Sequence, residues 1–212
     1  MQKLKIDIVS DVMCPWCIIG YKNLEKALFD LKDELTSEIS WHAFELNPDM
    51  PIEGQEINEH IQQKYGLTKE QGDENRNRIV EMGKQSGFTF NFEGERIMIN
   101  SFDCHRLLTW AKTLGKQTEL KLAMFNAHFT DLIYLNQQEE LLKVVGTVGL
   151  DITKAKAILD GDAYSQEVRS EQRHMQEIGI SSVPTFIIND KYAISGGQTT
   201  ESFKQALRQI NV

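Results

Sequence analysis

The chain has 212 residues, of which 41% are hydrophobic and 25% charged, and its formal net charge is -8 at pH 7. This balance is typical of a soluble globular protein that can bury a sizeable core, in one domain or two small ones. The acidic charge argues against a nucleic-acid partner, because proteins that bind phosphate backbones have clustered Lys and Arg. No apolar run approaches the ~20 residues that cross a bilayer, so no membrane partner is expected.

A Cys-x-x-Cys motif lies where a predicted strand turns into a predicted helix. Residues 4–9 alternate apolar and polar side chains, as a half-buried strand does, and apolar residues recur at three- and four-residue steps from Ile18 to Leu31, as on an amphipathic helix. Spacing i, i+3 places Cys14 and Cys17 on one helical face, close enough to form a disulfide. Cys14 falls at the helix N-terminus, where free N–H groups stabilise a thiolate. The pattern predicts a thiol–disulfide active site.

The rest of the chain alternates between sheet and helix patterns. A second strand is predicted at residues 39–46, and two prolines stop it directly afterwards. The region from about Glu56 to Ile178 is mostly helical in pattern, with a loop or short hairpin at residues 86–99. Further predicted elements are helices at 57–65, 70–85, 101–114, 120–130, 139–148 and 163–178, a short segment capped by Asp151, a hairpin with strands at 184–188 and 192–195, and a helix at 200–210.

This order of elements predicts an α/β protein. Strand-helix-strand, a helical segment, and then strand-strand-helix is a thioredoxin fold with a large inserted all-helical domain. We predict that residues 1–50 and 179–212 form a discontinuous thioredoxin-like domain, and that residues 51–178 form the helical insertion domain.

Five short motifs carry a resemblance to a known family. They are Asp11-x-x-Cys14-Pro15-Trp16-Cys17, Leu46-Asn47-Pro48, Asn100-Ser101-x-x-x-His105-Arg106, Ser182-Val183-Pro184-Thr185-Phe186 and Ser195-Gly196-Gly197-Gln198. With these motifs the whole chain resembles the DsbA-like thioredoxin-fold family, and most of all its cytoplasmic FrnE-type branch. The resemblance implies that Pro184 is cis and lies beside the two cysteines, which leaves the backbone of Val183 free to pair with an extended substrate.

The catalytic pair is predicted to be Cys14 and Cys17. Cys14 is expected to be the more exposed sulfur and to attack, and Cys17, one turn inside, to resolve the mixed disulfide. Neither of the two residues between them adds a cation, so we expect the helix terminus, opposed by burial, to lower the pKa of Cys14 only moderately.

Three supporting and four substrate-binding residues complete the predicted site. Pro15 suits the first helical turn, Trp16 tunes and shields the motif, and Asp11 either caps the loop or relays a proton to Cys17. The resemblance assigns substrate binding to four further residues, which are Val183, Pro184, Asn47 and Asn100.

The predicted activity is dithiol–disulfide exchange with a thiol- or disulfide-containing protein or small molecule. Kappa-class glutathione transferases and 2-hydroxychromene-2-carboxylate isomerases resemble the chain around Asn100, but they typically carry Ser in place of the first cysteine, so retention of both Cys14 and Cys17 favours exchange. A glutathione-dependent transferase or isomerase and a non-enzymatic DsbA-like adaptor remain open as alternatives.

No metal or organic cofactor is expected, although glutathione is retained as a candidate redox partner. A structural zinc ion needs four ligands, and the neighbours Cys104 and His105 point apart on a helix. Cys104 is expected to be a small buried residue. Three cysteines do not make a disulfide scaffold, and Met1 leads into a charged strand rather than a signal-like apolar core. We therefore predict a cytoplasmic protein. The oligomeric state is left open.

Overall fold

A mixed four-stranded sheet organises the chain, and a computed structural model describes residues 2–210 of it. The strands are β1 (Gln2–Ser10), β2 (Leu35–Ala43), β3 (Gln55–Glu56), β4 (Ile97–Met98), β5 (Thr185–Ile188) and β6 (Tyr192–Ser195). The sheet order is β2-β1-β5-β6, in which β1 runs parallel to β2 and antiparallel to β5. The short strands β3 and β4 form a separate antiparallel ladder. A parallel β1–β2 pair requires a crossover, which the first helix supplies.

The helices are α1 (Pro15–Asp30), α2 (Ile57–Tyr65), α3 (Lys69–Ser86), α4 (Phe102–Thr113), α5 (Gln117–Phe129), α6 (Gln138–Thr147), α7 (Ile152–Asp160), α8 (Ser165–Glu177) and α9 (Thr200–Ile210). The seven from α2 to α8 lie between β2 and β5 in sequence, so the predicted thioredoxin fold with a helical insertion is confirmed. The ladder of β3 and β4 is the part of that insertion that is extended rather than helical.

Several predicted bounds agree with the structure and one is wrong. Helix α2, strand β6 and helix α9 begin and end where the sequence predicts, and Thr68 begins α3 with a capping box to Gln71. The second strand was placed at residues 39–46, whereas β2 runs from Leu35 to Ala43. Pairing with β1 explains the shift, because Leu35 lies opposite Gln2 and the ladder extends through the polar residues 36–38.

Close backbone packing joins α1 to the turn after β6. A Cβ atom added to Gly20 would lie 3.0 Å from the ring of Phe186 and 3.1 Å from Cα of Gly197. A Cβ atom on Gly197 would in turn lie 3.1 Å from the carbonyl oxygen of Trp16. Glycine at these two positions therefore lets α1 approach the sheet and the turn closely.

Two clusters of buried apolar side chains form the core. The first surrounds the sheet, α1 and α9, contains both Cys14 and Cys17, and reaches into the helical insertion through Ile79, Phe88, Phe90, Phe125 and Phe129. The second lies among α4 to α7 and includes Val12 and Met13 from the loop after β1. The proposed domain boundaries stay a prediction, and residues 1, 211 and 212 of the predicted thioredoxin-like domain lie outside the described residues.

Within residues 2–210 no helix combines the length and the apolar character that a membrane crossing requires.

Candidate active site

The two cysteines lie where the loop after β1 enters α1. Cys14 is the N-cap of the helix, its N–H donates to the carbonyl oxygen of Asp11 at 3.2 Å, and the N–H of Cys17 donates to the carbonyl oxygen of Cys14 at 3.1 Å. Both are free thiols. Cys14 has 3% of its surface exposed and Cys17 has none, so the predicted order of exposure holds only by a small margin and neither sulfur is exposed.

The cis-proline segment lies directly against Cys14. Cys14 Sγ donates a hydrogen bond to the carbonyl oxygen of Val183 at 3.7 Å, although the two residues are 169 positions apart. The Val183–Pro184 peptide bond is cis, as the resemblance implies. The fold therefore brings two of the predicted substrate-binding residues to the predicted attacking sulfur, while their contact with a substrate stays a prediction.

The two thiols influence each other's ionisation in opposite directions. The side-chain hydrogen bond with Cys17, together with burial, raises the pKa of Cys14. Burial also opposes charge on Cys17, but the Cys14 thiol, the Ser10 hydroxyl and the ammonium group of Lys121 outweigh it and lower the pKa of Cys17. The expectation of a lowered pKa at Cys14 is therefore wrong for the reduced protein, because the hydrogen bond with Cys17 and burial both oppose a charge on Cys14.

Asp11 fastens the loop that carries the cysteines. Its carboxylate is 1% exposed and accepts hydrogen bonds from the N–H of Met13 at 3.2 Å and of Leu46 at 2.7 Å. His105 Nε2 lies 3.5 Å from the same carboxylate. Burial disfavours the charge, yet His105 and the Leu46 N–H lower the pKa of Asp11 overall. This geometry is that of a loop cap, and the proton relay to Cys17 stays a prediction.

Lys121 is the site residue that the sequence reasoning missed. It lies on α5, has 1% of its surface exposed, and its Nζ is 3.5 Å from the carbonyl oxygen of Ser10 at the end of β1. The same atom lies 5.5 Å from the ring centre of Trp41 and 5.1 Å from that of Phe125. A signal existed in the sequence: Lys121 shares one helical face with the buried Met124 and Phe125, at steps of three and four residues.

The residues between the cysteines have different surroundings. Pro15 occupies the first helical position, where it sacrifices no intrahelical hydrogen bond. Trp16 is half-buried, and the guanidinium group of Arg78 lies 5.7 Å from its ring centre. Trp16 is therefore in contact with α3, and its predicted shielding and tuning of the thiols stay predictions.

The two asparagines predicted to bind substrate are both engaged within the protein. Asn47 Oδ1 accepts a hydrogen bond from Lys64 Nζ at 2.5 Å, at the wall of a cavity of about 420 Å³. Asn100 donates to the carbonyl oxygen of Met50 at 2.8 Å and accepts from the N–H of Phe102 at 2.9 Å. Asn100 therefore fixes the start of α4. The substrate contacts of Asn47 and Asn100 stay predictions.

Arg106, which follows His105 in the Asn100 motif, bonds to the end of α7 and to the segment that joins α7 to α8. It is 4% exposed and donates hydrogen bonds to the carbonyl oxygens of Ile158, Gly161 (2.6 Å) and Ala163 (2.9 Å), and to Asp103 Oδ1 at 2.8 Å. Arg106 thus holds the turn between α7 and α8 to α4.

Cys104, the third cysteine, is fully buried as expected, and burial raises the pKa of its thiol. No group of three or more His, Cys, Asp or Glu side chains within the part of the chain that the structure describes has the proximity to hold a metal ion.

Comparisons with known proteins identify the family and the fold. The family model described as DSBA-like thioredoxin domain matches residues 5–208. YwbO of Bacillus subtilis is 28% identical over 203 residues, which cover 95% of this chain and 94% of YwbO.

Two solved structures share the fold. The probable DsbA oxidoreductase from Streptomyces coelicolor has a TM-score of 0.90 and 31% identity, over 97% of this chain and 89% of that one. The cytosolic disulfide reductase DsbM from Pseudomonas aeruginosa, solved with GSH, has a TM-score of 0.67 and 16% identity, over 98% of this chain and 100% of that one.

Proposed function

Because the chain belongs to the DSBA-like thioredoxin domain family, we propose that it is a dithiol–disulfide oxidoreductase in which Cys14 attacks and Cys17 resolves. The observation that carries the proposal is the meeting of two features: a pair of free thiols at a helix N-terminus, and the carbonyl oxygen of Val183, which lies 3.7 Å from Cys14 Sγ. A thiol pair beside an open backbone edge is the arrangement that disulfide exchange with an extended substrate requires.

In the proposed reaction a thiolate on Cys14 attacks one sulfur of a substrate disulfide. The substrate S–S bond breaks, the other substrate sulfur leaves as a thiolate, and Cys14 is held in a mixed disulfide. Cys17 then attacks Cys14 Sγ, the Cys14–Cys17 disulfide forms, and the substrate leaves reduced by two electrons. The same steps in reverse oxidise a dithiol. Attack from Cys14 requires that its proton pass to another group, and we propose Cys17, whose pKa is lowered, as the acceptor.

The proposed substrate is a protein or small molecule that contains a thiol or disulfide. Glutathione is included among the proposed substrates, since the similar DsbM was solved with GSH. The FrnE-type branch is proposed on the resemblance, and the cytoplasmic location on the resemblance and on the cytosolic description of DsbM. The backbone of Val183 faces Cys14, so we propose that an extended substrate segment pairs there.

Trapping of mixed disulfides tests the proposal. Cys17→Ser should accumulate mixed disulfides with disulfide-containing substrates, because Cys14 still attacks the substrate disulfide and no resolving thiol releases the product, whereas Cys14→Ser should accumulate none. Cys104→Ser is the matched control and should behave as the unmodified protein, since that thiol is fully buried. Acid quenching followed by non-reducing gels gives the readout.

The outcomes separate the rival functions. Equal trapping by Cys14→Ser and Cys17→Ser contradicts the assigned roles. A glutathione-dependent transferase would keep its turnover in Cys17→Ser, and an adaptor would keep its biological effect in Cys14→Ser.

A further inference from the structure

Arg78 places a guanidinium group beside the residues that separate the two cysteines. It lies on α3, it is exposed, and its guanidinium carbon is 5.7 Å from the ring centre of Trp16. This distance is within the roughly 6 Å over which an aromatic ring attracts a cation. Trp16 follows Cys14 by two positions and precedes Cys17 directly, so the contact puts a positive charge next to the cysteine motif.

The acidic residues at helical spacing from Arg78 do not pair with it. Among the described residues, neither Glu74, four positions earlier, nor Glu81, three positions later, forms an ion pair with Arg78. Glu81 lies 4.0 Å from Lys84 Nζ instead. The ring of Trp16 is therefore the contact that holds the guanidinium group, and a ring does not occupy its N–H groups.

Two other cations on α2 and α3 are already engaged. Lys64 Nζ donates to the carbonyl oxygen of Leu46 at 2.7 Å and to Asn47 Oδ1 at 2.5 Å, so it holds the loop after β2. Arg76 pairs with an acidic residue three positions earlier on its own helix. Arg78 is thus the cation beside the motif whose N–H groups are available to a ligand.

A guanidinium group that stacks on a ring is suited to bind a carboxylate. Its planar fork can donate two parallel hydrogen bonds to the two carboxylate oxygens. The net charge of -8 on the whole chain repels acidic molecules, but salt screens such a field beyond about 8 Å under physiological conditions. A cation at the motif therefore has more influence than the net charge on a charged group close to the substrate sulfur.

We propose that Arg78 is a specificity-determining residue of the disulfide exchange and that it favours substrates with a carboxylate close to the disulfide. The inference rests on the proposed function and names a substrate class for it. A substrate sulfur that reacts with Cys14 brings its neighbouring groups to the motif that contains Trp16, where a carboxylate can bind the guanidinium group. Arg78 takes no part in the transfer of electrons.

Three small disulfides of matched length test the inference. Dithiodipropionate, hydroxyethyl disulfide and cystamine carry a carboxylate, a hydroxyl or an ammonium group after the same pair of methylene groups. The measurement is the second-order rate constant for oxidation of the reduced protein by each disulfide. Variants are compared for one disulfide at a time, so that differences in intrinsic reactivity between the disulfides cancel.

Arg78→Gln should lower the rate constant for dithiodipropionate about two- to fivefold, the range for an exposed ion pair. It should leave the rate constant for hydroxyethyl disulfide unchanged and raise that for cystamine by a similar factor, because a repulsive charge is removed. Arg78→Lys should keep part of the preference, since it retains the charge without the planar fork. High salt should reduce the difference between the charged disulfides.

Lys69→Gln is the matched control. Lys69 is an exposed cation at the first position of the same helix, about 14 Å along the helix axis from Arg78. Its replacement removes the same charge from the chain and should change none of the three rate constants. Urea unfolding of each variant confirms that it is folded.

Alkylation of Cys14 gives a second readout that needs no disulfide exchange. Iodoacetate is negatively charged and iodoacetamide is neutral, and both react with the same thiolate, so the ratio of their rates reports the charge near the sulfur. The Cys17→Ser, Cys104→Ser background leaves Cys14 as the reacting thiol. In this background Arg78→Gln should lower the ratio about two- to fivefold.

The outcomes separate this inference from the proposed function. Rate constants that change equally for all three disulfides in Arg78→Gln, or that do not change, overturn the role of Arg78. An effect of the same size in Lys69→Gln also overturns it, because the net charge would then be the cause. An unmodified protein that none of the three disulfides oxidises overturns the proposed function, and the alkylation ratio still decides whether Arg78 attracts a carboxylate to Cys14.

Discussion

Replacement of Arg106 by Met should destabilise the fold by about 3 kcal/mol. The buried hydrogen bond from its guanidinium group to the carbonyl oxygen of Ile158 is worth about 1.5–3 kcal/mol, as for other hydrogen bonds to charged groups. The bonds to Gly161 and Ala163 are only partly buried and contribute about 1 kcal/mol together. The half-exposed carboxylate of Asp103 contributes at most a few tenths more.

Urea unfolding of the reduced protein measures this loss. Arg106→Lys should recover about half of it, because Lys keeps the charge and can reach one carbonyl oxygen but cannot span the turn. Arg173→Met, an exposed position on α8, is the control and should change the free energy of unfolding by less than about 0.5 kcal/mol. A loss at Arg106 no larger than that at Arg173 would refute the reasoning. Disulfide exchange per folded molecule should be unchanged, whereas a substrate-binding role for Arg106 predicts a raised KM.

Two further predictions concern the junctions around the sheet. His42 lies 2.8 Å from the carboxylates of both Asp7 and Glu171, and although burial alone would lower the pKa of His42, these carboxylates raise it. The resulting stabilisation is full below the unfolded pKa of about 6.5 and is lost as the pH rises through the folded value, so the difference in unfolding free energy from His42→Gln should shrink as the pH rises above about 6.5; a constant difference contradicts this. Gly197→Ala, whose Cβ would lie 3.1 Å from a carbonyl oxygen in the first turn of α1, should destabilise by about 1–3 kcal/mol. Gly72→Ala, with open space around its Cβ, should not destabilise, and equal losses at both glycines would exclude a steric cause.

Short-range patterns were sufficient to predict most elements of this fold. The hairpin of β5 and β6 followed from its turn residues, and Asn189 and Asp190 do adopt positive φ angles there. The cysteine pair followed from its spacing at the junction of strand and helix. The start of β2 did not, because a polar sequence entered the sheet through pairing with β1, which no local pattern records.

The charges around the cysteines depend on contacts that are remote in sequence. Lys121 lies more than a hundred positions from Cys17, and a lysine within an amphipathic helix is ordinarily assigned to the solvent face. The sequence therefore predicted a lowered pKa at Cys14 from the helix terminus, opposed by burial, whereas in the fold burial and Cys17 raise the pKa of Cys14, and Lys121 contributes to the lowered pKa of Cys17. The sequence assigns no role to Arg106, and the tertiary structure shows that it ties α4 to the turn after α7.

Val12 and Met13 link the helical insertion to the cysteine pair. They precede Cys14 directly, yet their side chains belong to the core of α4 to α7, while Cys14 and Cys17 belong to the core of the sheet. Excision of residues 51–178 would consequently not leave a minimal thioredoxin, because the loop that precedes Cys14 would lose the apolar core against which Val12 and Met13 pack. The rate of disulfide exchange can therefore serve as a reporter of the integrity of the helical core, and a screen for exchange activity would also select for a well-packed insertion.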